Sequence, residues 1–136
     1  MDRKRLEAVE TNKRILIVVP EESVRFILSY GLQHTYKDYE VIAIEDENRA
    51  LVEAGRTHFD LVIFDVNILN REAVEFTQQL QESLQGVKII WITSVESLAY
   101  KLQAQKMGIY HSLLKPFKLS EVRCIVQRAM NEDFSS

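Results

Sequence analysis

The chain is short of most features that would mark a secreted, membrane-spanning or metal-clustering protein. It has one cysteine, Cys124, among 136 residues, which excludes an internal disulfide and suits a reducing cytoplasm. No apolar run approaches the roughly 18 residues that span a bilayer. The basic start, Met1-Asp2-Arg3-Lys4-Arg5, has no apolar stretch behind it and is not a signal peptide. Neither sign of charge dominates. A net charge of -3 gives no electrostatic footprint for nucleic acid or anionic lipid. The three histidines, His34, His58 and His111, lack metal-ligand spacing, and nothing pairs Cys124 with a base. At helical spacing among Val122, Ile125 and Val126, Cys124 reads as a small buried or half-buried residue. No glycine-rich loop follows the first apolar run. The acidic Pro20-Glu21-Glu22-Ser23 found there would repel a flavin phosphate.

What is present is an ordinary globular composition, 46% hydrophobic and 27% charged, with a length that fits one domain and one core. Short apolar runs bounded by polar residues predict buried strands at Arg14–Val19, Glu40–Ile44, Leu61–Phe64, Lys88–Ile92 and His111–Leu114. Helical periodicity lies between them. Val24, Ile27, Leu28 and Gly31 share one face, as do Ala73, Phe76, Thr77, Leu80 and Leu84, and later Val122, Ile125, Val126 and Ala129. Residues 47–54 and 97–107 supply two more helices. The four glycines, Gly31, Gly55, Gly86 and Gly108, are expected to stop helices, each standing before a strand. Strand and helix alternate five times, which predicts an α/β fold. The expected architecture is a flavodoxin-like three-layer sandwich, its five-stranded parallel sheet ordered 2-1-3-4-5 with helices on both faces. Residues 1–13 read as an arm or short helix, 14–130 as the domain and 131–136 as a tail, with no room for a second domain.

In an open parallel sheet, residues at the carboxyl ends of neighbouring strands converge on one crevice. Asp65, Thr93 and Lys115 each follow an apolar run, so a carboxylate, a hydroxyl and an ammonium should meet there. Each residue also has a plainer role open to it: Asp65 as a cap, Thr93-Ser94 as the cap of the fourth helix, Lys115 as a surface lysine held extended before Pro116.

The stretches Arg14-Ile15-Leu16-Ile17-Val18, Asp60-Leu61-Val62-Ile63-Phe64-Asp65, Ile92-Thr93 and Lys115-Pro116-Phe117 give the chain a resemblance to the response-regulator receiver domains of two-component signalling, from Arg14 to Met130. The resemblance implies that Asp65 is a phosphoacceptor served by a histidine kinase, with Thr93 and Lys115 steadying the phosphoryl oxygens. Phosphoryl transfer rests on positioning and on neutralising oxygen charge, and these residue types suit it. It also implies magnesium, held by two acids after strand 1, by Asp65 and by the backbone carbonyl of Asn67.

Here the sequence departs from the pattern. Val19 and Pro20 fall on the acid positions, and neither offers the side-chain oxygen that magnesium demands. Glu21 is a weak substitute ligand. With Glu22 it also fits the first turn of a helix, where negative charge complements the dipole. Ser112 stands where the family carries a switching aromatic. Leu69 and Ala73 replace the usual proline and glycine of the turn after Asp65.

Two readings follow. One is an atypical stand-alone receiver in a phosphorelay, acting mainly as a protein-interaction module and not as an enzyme, with weak magnesium binding and weak or absent phosphorylation. The other is a true phosphoacceptor modified on Asp65. A small-molecule binder on the same fold is a distant third. The implied partner is a histidine kinase or other signalling protein, with pairing of two copies through helix 4, strand 5 and helix 5 (97–130), and without direct nucleic-acid or membrane contact.

Overall fold

The computed structural model describes residues 13–68, 70–94 and 98–131. Most of the expected arm at 1–13 (residues 1–12), most of the expected tail (132–136), Leu69 and Ser97 lie outside the described residues. Among the described residues, five strands, β1 (Arg14–Val18), β2 (Glu40–Ile44), β3 (Leu61–Asp65), β4 (Lys88–Thr93) and β5 (His111–Leu114), alternate with five helices. The helices are α1 (Glu22–Thr35), α2 (Glu47–Arg56), α3 (Ala73–Ser83), α4 (Leu98–Met107) and α5 (Leu119–Asn131). All strand pairs are parallel and the order is β2-β1-β3-β4-β5, the flavodoxin-like arrangement.

Alternation along the strands divides the core in two. Leu16, Val18, Val62, Phe64, Ile89 and Trp91 face α2, α3 and α4. Ile15, Ile17, Leu61, Ile63, Ile90 and Ile92 face α1 and α5. Both faces are covered, which is why the strands read as unbroken apolar runs. The indole N–H of Trp91 is not left unsatisfied, because it donates to Thr77 Oγ1 at 3.0 Å.

The expected faces of α3 and α5 hold, but that of α1 is rotated. Leu28, Gly31 and Leu32 are its buried residues, while Ile27 is 53% exposed. Gly86 and Gly108 have positive φ as a chain reversal after a helix requires. At Gly108 the next amide, Ile109, reaches back to the Ala104 carbonyl at 3.0 Å, closing the end of α4. Gly31 and Gly55 do not stop helices; both lie inside them. Gly31 is there for space, since a Cβ at this position would come within 2.6 Å of Leu119 Cδ2. Gly55 has open room around it, and nothing in the structure calls for glycine. Cys124 is exposed, not half-buried, because it falls on the outer side of α5 between the buried Val122 and Ile125.

The packing of α1 on α5 is completed at its far end. The Tyr36 hydroxyl donates to the Arg123 carbonyl at 2.9 Å, and burial, helped by neighbouring Tyr39, holds its pKa above the usual tyrosine value.

Candidate functional site

The parallel order brings the ends of β1, β3, β4 and β5 to one edge of the sheet, with β3 between β1 and β4. Asp65 is the last residue of β3 and not, as expected, the residue beyond it. It is 3% exposed. An ionised carboxylate so enclosed needs partners for both oxygens. Oδ1 accepts the backbone N–H of Asn67 at 2.9 Å, a local turn that starts the loop into α3. Oδ2 lies 2.6 Å from Lys115 Nζ. The carboxylate is thereby held from two sides, one local in sequence and one fifty residues away.

Lys115 is delivered by β5. Its amide continues the sheet by donating to the Thr93 carbonyl at 2.8 Å, so strand pairing itself aims the chain toward the β3–β4 edge. The Lys115–Pro116 peptide is cis. Thr93 closes β4 and is 8% exposed. Val66, just after Asp65, donates to the Ile92 carbonyl at 2.9 Å, which keeps the two strand ends in step past the acid. The three residues expected from sequence thus share one edge, where Lys115 meets Thr93 through its backbone and Asp65 through its side chain.

The residues expected to hold a metal are not gathered in this way. Val19, fully buried, and Pro20 occupy the end of β1 beside the continuing register of β3. Glu21 is exposed and caps α1 without a side-chain hydrogen bond. Glu22 begins the helix as a first-turn acid. Among the described residues, no three His, Cys, Asp or Glu side chains are grouped as a metal site. Asn67 contributes its N–H to Asp65. A hard divalent ion needs several oxygen donors in near-ideal octahedral geometry. Among the described residues at this edge, Glu21 is exposed and Asp65 has both oxygens already engaged, so the donor set does not fit.

A cation that the sequence reading missed stands at the end of β1. Arg25 Nη1 donates to the carbonyls of Val19 at 2.8 Å and Pro20 at 3.1 Å. Its signal in the sequence was only a basic residue in the first turns of a helix, against the usual dipole preference. A second missed residue is Glu47, the first residue of α2, which is fully buried and accepts from the backbone of Asn70 in the loop after Asp65. The expected departure at Ser112 has a structural counterpart: this side chain is exposed on β5 and carries no ring.

An apolar hollow of about 440 Å³ opens beside Lys115, lined also by Val24, Ile27, Pro116 and Phe117. On the β2 side of α1, Phe26 and Tyr30 are 62% and 59% exposed. Their rings stack at 5.7 Å, and Tyr30 stacks on His34 at 5.5 Å.

Comparison with known proteins gives this geometry a context. The model of the response regulator receiver domain matches residues 15–127. The alkaline phosphatase synthesis transcriptional regulatory protein PhoP of Bacillus subtilis is 30% identical over 116 residues, 85% of this chain and 48% of that protein. The regulatory protein AtoC of Escherichia coli is 26% identical, over 86% of this chain and 25% of its own length. The chain therefore spans half or less of these relatives. Among solved structures, the chemotaxis protein CheY4 of Vibrio cholerae superposes with a TM-score of 0.79 at 27% identity, covering 88% of this chain and 99% of the other. The beryllofluoride-activated NtrC4 receiver domain dimer gives 0.80 at 26% identity, covering 88% and 97%.

Proposed function

Because this chain belongs to the response regulator receiver domain family, we propose that it works in phosphorelay signalling as an atypical receiver, mainly by binding other proteins, with magnesium-dependent phosphorylation of Asp65 weak or absent. One observation carries this reading. The acceptor edge has Asp65 closed by Lys115 and Asn67, while the β1 end presents Val19, Pro20 and the Arg25 guanidinium in place of acids. Transfer to a carboxylate requires the incoming phosphoryl charge to be neutralised at several oxygens. Lys115 supplies one such charge. A metal would have to assemble around Asp65 and the exposed Glu21 alone.

The surface supports the binding role. Large apolar groups exposed together mark contact sites more often than single ones do. Ile27 lines the hollow at Lys115, so a partner seated there would also cover the acceptor edge, and Phe26 and Tyr30 are exposed on the β2 side of the same helix. The partner we propose is a histidine kinase or another signalling protein. Pairing of two copies through α4, β5 and α5, where Leu102 and Leu114 are exposed, is a second use of the surface.

The retained Asp65, Thr93 and Lys115 favour the other reading, a working phosphoacceptor. Incubation with acetyl phosphate across a magnesium titration, followed by intact mass, separates the two. The expected result is little or no adduct even at high magnesium. A stoichiometric phosphoryl adduct at low magnesium, absent from Asp65→Asn, would establish the phosphoacceptor instead.

A further inference from the structure

The loop from Asn67 to Glu72 joins the acceptor strand to α3 and borders a cleft of about 370 Å³, lined in part by Asn67, Arg71, Glu72 and Gln103. Ile68 packs against the core beneath it, and polar contacts hold the side that faces the cleft. Near its start, the Asn67 N–H donates to Asp65 Oδ1. Further along, the Asn70 N–H donates to Glu47 Oε2. Arg71 places Nε 3.8 Å from that same oxygen, gives Nη1 to Gln79 Oε1 at 2.8 Å on α3, and gives Nη2 to Asn48 Oδ1 on α2.

Glu47 is an unusual choice for this position. It is fully buried, and its Oε1 has no hydrogen-bond partner among the described residues. Burying a carboxylate with one oxygen unmet works against folding. The start of α2 does not need it as a cap, because Asp46 already accepts from the Arg49 amide at 2.9 Å. What Glu47 does provide is attachment of the loop to α2.

We infer that Glu47 is a positioning residue for the Asp65 site. Through Asn70 and Arg71 it fixes the loop whose Asn67 amide orients the Asp65 carboxylate. Two bonds frame this stretch, one from Asn67 to Asp65 and one from Asn70, three positions further along the chain, to the first turn of α2. A change of state at Asp65 that withdraws the Asn67 bond is passed by this route to α2 and α3, on the same sheet face as Ser112, which pairs with Trp91. The inference rests on Asp65 being the functional carboxylate, as proposed above, but not on whether it accepts a phosphoryl group.

The test uses the full labelled chain without metal, donor or partner, so its outcome is separate from that of the phosphorylation assay. Amide hydrogen exchange is followed at Asn67, Asn70, Ala50 and Ala54, together with the Asp65 carboxyl ¹³C shift at neutral pH. Glu47→Ala is expected to speed exchange at both Asn67 and Asn70 by about tenfold, the loss of one to two buried polar contacts, and to move the Asp65 signal. Ala50 and Ala54 should exchange as in the native chain. Glu47→Gln keeps an acceptor for Asn70 and should leave Asn67 and the Asp65 signal close to native. If Glu47→Ala does not fold, Glu47→Asp, one methylene short of Asn70, takes its place with the same expectation. An unchanged Asn67 and Asp65 alongside a freed Asn70 would overturn the inference. So would a uniform loss of protection across α2 that Gln fails to rescue.

Discussion

Asp65 and Lys115 are an ion pair of unequal exposure, the carboxylate side chain 5% and the lysine 25% exposed. Removing either partner should therefore have unequal effects. Lys115→Ala leaves a buried carboxylate with the Asn67 amide as its partner among the described residues, and it is expected to cost about 1–3 kcal/mol of stability. Asp65→Asn leaves a lysine that can turn toward water, and the new amide oxygen still accepts from Asn67, so the loss should stay under about 1 kcal/mol. Urea unfolding of the two single variants and the double variant measures the asymmetry. Equal losses would mean that the pair contributes by proximity alone. Both residues were legible in the sequence because each follows an apolar run, and a strand end is a fixed address in a parallel sheet. Arg25 and Glu47 were not. Arg25 is defined by the backbone carbonyls it meets, and Glu47 by a loop 23 residues away.

At the scale of the elements, α1 shows where pattern and packing part. Helical periodicity placed Ile27 inward with Val24, Leu28 and Gly31, but the buried set is Leu28, Gly31 and Leu32. The cause is Gly31, which lets α1 sit so close to α5 that Leu119 occupies the space of a side chain. Alanine here brings two opposing effects. It favours the helix by about 1 kcal/mol over glycine, and it crowds Leu119, an effect typically worth about 1–3 kcal/mol. Gly31→Ala alone should be neutral to destabilising. In a Leu119→Ala background the clash is gone, and the same substitution should stabilise by up to about 1 kcal/mol. Thermal unfolding of the four proteins gives the sign in each background. A stabilising Gly31→Ala in the native background would show that Leu119 simply swings aside.

For the molecule as a whole, the proposal separates the acceptor chemistry from the contact surface, and substitutions should separate them too. Asp65→Asn is expected to retain association with a partner histidine kinase within about twofold, because it changes no exposed residue. Phe26→Ala with Tyr30→Ala removes the exposed stack and should weaken that association at least tenfold while leaving the core untouched. Surface plasmon resonance with a candidate kinase gives both numbers. Loss of binding in Asp65→Asn with a native fold would place the acceptor at the centre of recognition. The acids are testable in the same way. Val19→Asp with Pro20→Asp should bring saturable magnesium binding, read by the fluorescence of Trp91, which packs against Phe64 beside Asp65. The native chain should respond far less. A saturable native response at low magnesium, lost in Glu21→Ala, would make Glu21 a ligand after all.

The sequence by itself determined the alternation of strands and helices, the parallel sheet and the edge on which Asp65, Thr93 and Lys115 stand, because apolar runs, helical spacing and strand ends are local in the chain. It also carried the absence of acids at Val19 and Pro20, which is a matter of residue identity. Tertiary structure decided the rest. Which side of α1 is buried depends on a glycine meeting a leucine 88 residues on. The charge at the end of β1 depends on a guanidinium folding back onto carbonyls. The holding of the loop after Asp65 depends on a carboxylate from another helix. Each of these is a contact between groups distant in sequence, and no local pattern records which distant group fills a given space or accepts a given proton.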